Sequence, residues 1–189
     1  MSHDLEQLLT EVAENQRNRV FGKYRGTVVS VDDPLERGRI QAQVPAVLGD
    51  VALPWAMPCV PYAGPGHGLV LLPEVGDGVW MEFEGGNVDA PIWSGGWWGD
   101  GDLPEPGAPR VRVLRTSAGH RIVLDEDGDE IRLEHPGGAE LVFESGTVRI
   151  QLGTQRIEIS QSEINLNNGM VKVTAAGASL VNDALKIGA

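Results

Sequence analysis

The chain has 189 residues, with hydrophobic content of 41% and charged content of 22%, the ordinary balance of a folded protein of one or two small domains. Its net charge of −12 argues against a nucleic-acid partner, which needs a basic track, and its single cysteine excludes an intramolecular disulfide. The 25 glycines and 12 prolines favour short strands and turns over helices.

The acidity is uneven. Residues 1–109 hold 16 acidic and 6 basic side chains, whereas residues 110–189 hold 11 and 9, so an anionic half precedes a nearly neutral one. No apolar run approaches the roughly 20 residues that span a bilayer, and the polar, acidic N-terminus carries no signal-peptide pattern. Synthesis and folding in the cytoplasm are expected.

In residues 1–22, Ser2 and Asp4 are candidate N-caps, and Leu5, Leu8, Leu9 and Val12 recur at i, i+3, i+4 and i+7. This predicts a short amphipathic helix. Its leucine stripe could pack on the following domain or dock on another protein, and both readings stand.

Strands begin at Tyr24. Tyr24–Val31 runs into an Asp32-Asp33-Pro34 turn, Gly38–Val44 alternates and stops at Pro45, and Leu53–Tyr62 is a proline-broken segment suited to an edge. Gly64, Gly66 and Gly68 lie in a loop; no lysine follows, so they do not make a phosphate cradle. Leu69–Leu72 leads into the strongest strand signal of the chain, where Val79, Met81 and Phe83 alternate with Trp80, Glu82 and Glu84 between glycine turns. Ala90–Trp98 reads as its hairpin partner. Cys59, in the apolar run Trp55–Val60, is expected to be a buried core thiol. Five or so strands over residues 23–100 suit an OB-type β-barrel.

Residues 101–110 read as a linker, rich in proline and glycine. Beyond it, over residues 111–189, pairs of apolar residues recur with one polar residue between partners: Ile122/Leu124, Ile131/Leu133, Leu141/Phe143, Val148/Ile150, Ile157/Ile159, Ile164/Leu166, Val171/Val173 and Leu185/Ile187. This is a degenerate repeat of short strands, each with one apolar face. A single layer of such strands has nothing to pack on, so the apolar face needs further copies of the chain. The expected state is an obligate homotrimer forming a β-prism or β-helix, with Ile131 to Val173 of these pairs at its axis.

Other motifs fail their tests. Asp125–Glu130 resembles a calcium loop, but Glu130 stands where glycine is needed and Pro136 where a bidentate glutamate is needed, which leaves a hairpin turn. Ser117, His120 and Asp125 have the residue types of a triad without a nucleophile elbow. Trp93, Trp97 and Trp98 could stack a sugar, but barrel closure or an interface accounts for them as well.

Two stretches carry a family resemblance. Pro73-Glu74-Val75-Gly76-Asp77, Val79–Gly86 and Pro91-Ile92-Trp93-Ser94-Gly95 form one, and Arg115–Asp125 forms the other. Together they resemble the central spike proteins of contractile injection systems: phage baseplate assembly protein V, the phage tail-lysozyme spike and the valine-glycine repeat protein G of type VI secretion. The resemblance implies a structural spike, not an enzyme, assembled into a phage-tail-like particle. Its OB barrel would sit on a trimeric baseplate hub protein, with Leu5, Leu8, Leu9 and Val12 as candidate hub contacts, and its shaft would contact the target membrane on firing. The tail-lysozyme relatives carry an enzymatic domain where this chain has a ten-residue linker. Some short phage spikes close on a metal held by a His-x-His pair, whereas the histidines here (His3, His67, His120 and His135) are unpaired, so neither a metal nor any other cofactor is expected. The aliphatic end of the chain instead suggests a separate tip protein resembling the proline-alanine-alanine-arginine (PAAR) repeat caps, seated on Leu180, Val181, Leu185 and Ile187. The alternative is a trimeric OB-fold carbohydrate- or cell-surface-binding adhesin module.

Overall fold

A computed structural model describes Gln7 and residues 19–105, 107–182 and 184–188, and the chain divides into two compact units at Asp102/Leu103. The expected hub-contact residues Leu5, Leu8, Leu9 and Val12 lie outside the described residues.

In the first unit, β1 (Tyr24–Ser30), β2 (Gln41–Gln43), β3 (Met57–Pro58), β6 (Gly78–Phe83) and β7 (Pro91–Gly96) form a sheet in the order β2-β1-β6-β7-β3. A one-turn helix α1 (Pro45–Leu48) follows β2, and β4 (Ala63–Gly64) and β5 (His67–Gly68) make a separate hairpin. The two outer ends of the sheet meet where Ile40, just before β2, exchanges both backbone hydrogen bonds with Ala56, just before β3, at 3.2 and 2.8 Å. That pair joins the sheet into a barrel and removes the open edges an isolated sheet would present.

The alternation read in the sequence sets the core. Val79 and Met81 are fully buried and Phe83 nearly so, packed with Val28, Ile40, Ala42, Val44, Leu53 and Ala56. Gly26 of β1 lies so close to Met81 that a Cβ there would meet the Met81 side chain at 2.9 Å, so a larger residue would push the two strands apart. Trp93 closes the barrel, its indole N–H donating to the Gly38 carbonyl at 3.1 Å.

Cys59 is exposed, contrary to the buried thiol expected from its apolar surroundings. The cause is the brevity of β3. This two-residue strand pairs only with β7, and beyond Pro58 the chain keeps one backbone bond, Cys59 N–H to the Trp93 carbonyl at 2.8 Å, while the thiol turns outward.

The second unit is one ten-stranded antiparallel sheet in strict sequence order. Its strands are β8 (Val111–Arg115), β9 (Arg121–Asp125), β10 (Glu130–Glu134), β11 (Ala139–Glu144), β12 (Thr147–Leu152), β13 (Gln155–Ser160), β14 (Glu163–Leu166), β15 (Val171–Thr174), β16 (Gly177–Leu180) and β17 (Leu185–Gly188). Each chain thus contributes a meander with edges at β8 and β17; a prism or helix requires more than one copy.

Candidate functional site

The register of the ten-stranded sheet turns the repeated pairs into two continuous columns. In the first, Leu114 faces Ile122, Ile122 faces Leu133, Leu133 faces Leu141, and Leu141 faces Ile150. The same column continues through Ile157, Leu166, Val171, Leu180 and Leu185. In the second, Leu124, Ile131, Phe143, Val148 and Ile159 face one another in turn. Ile164, Val173, Ala178 and Ile187 complete it. Because side chains alternate along a strand, both columns lie on one face of the sheet.

All twelve residues expected at a trimer axis, Ile131 to Val173, fall in these columns. So do Leu180, Leu185 and Ile187 of the expected tip contact. Val181 does not: it occupies the turn between β16 and β17, with φ of 54°. Sequence reading missed Leu114, because the apolar pair of its strand, Val111/Val113, lies on the opposite face, and Ala178, whose side chain is too small to stand out.

The face carrying the columns is uncovered in the single chain. Ile150 is 48% exposed, and Ile122, Leu124, Ile131, Leu133, Phe143, Ile157, Ile159, Ile164 and Val173 are exposed as well. The opposite face is polar yet more enclosed. There Val123 and Val142 are buried beneath an alternation of charges. Arg121 pairs with Glu134, Arg132 with Glu130 at 2.5 Å and Glu134 at 3.3 Å, Arg149 with Glu144 at 3.3 Å, and Arg156 with Glu158. Burial works against the charge of Arg132, but Glu130 and Glu134 more than offset it and raise its pKa. The long arginine stems shield the valines, and the guanidinium groups are partly enclosed among their carboxylate partners. This ladder is written in the sequence as opposite charges at alternate positions, a signal that only the register assembles.

The remaining candidates make local turn and ring contacts. Asp125 accepts backbone N–H groups of Asp127 and Gly128 at 3.0 and 2.9 Å, which makes the expected turn. His120 lies against His135, ring centres 4.9 Å apart, with its Nδ1 3.2 Å from Thr116 Oγ1. Among the described residues, no cluster of three or more metal-ligating side chains occurs. Of the three late tryptophans, Trp93 is in the core and Trp97 stacks on the Arg25 guanidinium, which also lies over Trp80; Trp98 is exposed.

Two family models match the chain. One, described as the type VI secretion system/phage-baseplate injector OB domain, covers residues 24–98. The other, described as the phage baseplate V C-terminal trimerisation domain, covers residues 111–172. No curated protein matches.

Proposed function

Because the chain belongs to the central-spike family of phage baseplates and type VI secretion systems, we propose that it is the non-enzymatic, homotrimeric spike of a contractile injection particle. Three copies bring their apolar columns together along one axis and form a rigid β-prismatic shaft behind the barrels. The barrel end docks on a trimeric hub protein. The far end carries a separate tip protein of PAAR type, and the assembly passes sheath force to a narrow point that breaches the target membrane.

The observation that carries this reading is the pair of apolar columns running through β9 to β17, uncovered in one chain and matched in large part by a trimerisation domain. An uncovered apolar strip this long is a partner surface in a soluble protein. Three chains, each bringing two columns, give the axis a dry core and leave the charged ladders to solvent. The test is native mass together with co-purification. The expected result is a trimer that joins hub protein in a reconstituted particle, and that no longer does so once residues 1–19 are removed although it remains trimeric. A folded monomer in solution, or a trimer that ignores hub protein, would overturn the proposal.

A further inference from the structure

The barrel carries an uncovered apolar surface of its own, separate from the columns. In the hairpin β4–β5 the His67 ring covers Gly64 and lies beside Tyr62, ring centres 5.3 Å apart. The chain then leaves as Leu69-Val70-Leu71-Leu72, four consecutive apolar residues exposed by 45–78%. With Pro58, Val60 and Trp93 this run bounds a groove of about 750 Å³. Single exposed apolar residues are ordinary; a run of four along a concave wall is not, and the barrel core is complete without it.

The other half of the chain supplies an occupant. β7 ends at Gly96 and the trimerisation match begins at residue 111, so the connection between them spans at most about 50 Å even if fully extended. Three barrels tethered so closely meet one another at an effective concentration on the order of millimolar. A three-fold ring is built from heterologous contacts, in which the groove of one copy receives a different face of the next, and it closes on itself. Charge does not favour a strongly charged occupant: at the rim Asp33 is already held by Arg39, and Asp32, Glu36 and Arg37 line the groove together. We infer that the groove bounded by Leu69–Leu72 is a barrel-to-barrel interface, occupied by a second copy of this chain and locking the three barrels into a fixed ring.

The inference rests on the trimeric reading, and its test separates the two. Cys59 is the sole cysteine, is exposed, and lies between Pro58 and Val60 of the groove. A nitroxide at Cys59 of the full chain reports inter-copy distances by pulsed electron resonance, while native mass is read on the same sample. The expected result is a trimer with one narrow distance, and a distribution at least twofold broader in Leu71→Asp and in Val70→Asp, both still trimeric and with unchanged tryptophan emission. A broad distribution in the unsubstituted trimer, or a narrow one that both substitutions leave intact, overturns the inference alone. So does narrowing that appears only when hub protein is added, since the occupant would then be another protein. A monomer overturns both readings.

Discussion

Val142 and Phe143 are consecutive in β11, yet the smaller one is completely buried and the larger is 41% exposed. Val142 lies on the charged face between Arg132 and Arg149, and Phe143 lies on the apolar face between Ile131 and Val148. A single chain therefore hides apolar surface under its polar side and leaves its apolar side to be covered by others.

Ile150→Asp tests that arrangement at its middle. Three copies of the carboxylate would face one dry axis, where a buried unpaired charge costs several kcal/mol each. The expected outcome is loss of the trimer in sedimentation, with Gln161→Asp in an exposed turn leaving the mass unchanged.

Acid should weaken the barrel through Asp33. The Arg39 guanidinium, followed by the backbone N–H groups of Leu35, Arg37 and Arg39, holds its carboxyl well below the usual carboxylate range. A carboxyl whose pKa is lowered on folding stabilises above its unfolded value of about 3.9 and loses that contribution as pH falls toward its folded value. Unfolding followed by tryptophan emission should show stability falling below about pH 4, and a smaller fall over that interval in Asp33→Asn.

Val181 occupies a left-handed conformation, φ 54°, which a β-branched residue adopts at a cost of about 1–2 kcal/mol. Val181→Gly should remove most of that strain and raise the thermal midpoint of the C-terminal sheet. An unchanged or lowered midpoint would show that the valine side chain makes a compensating contact in the assembly.

Removing residues 180–189 deletes β17 and Leu180 of β16, and leaves the shortened β16 as the edge. The trimer should persist, because the columns from β9 to β15 are intact, while capture of a PAAR-type tip protein is lost in pull-down. Capture by the full chain should change little between low and high salt, since strand pairing and aliphatic burial are weakly screened.

Much of this was legible from period alone. Val79, Met81 and Phe83 announce a one-sided strand, and eight apolar pairs announce a one-sided sheet, because a two-residue period fixes which side chains share a face. Long-range pairing was not legible. Ile40 and Ala56 close the barrel with a single reciprocal bond pair, and no local pattern marks two isolated residues as neighbours. Cys59 misled because an apolar run usually means core, whereas here prolines cut the strand to two residues and let the thiol turn out. The Leu69–Leu72 run read as the lead into a strand, since nothing in an apolar tetrapeptide says that its barrel is already full.

The order of the ten strands has a kinetic consequence. Every strand from β8 to β17 pairs only with its sequence neighbours, so no contact in that sheet waits on a distant part of the chain. Contacts of short sequence separation form fast, and a meander can grow hairpin by hairpin from any starting point. No loop has to close around another chain, so three copies can come together lengthwise without threading or knotting. The slow step of assembly is then the encounter of three chains, and its rate should depend on protein concentration and hardly at all on the length of the shaft.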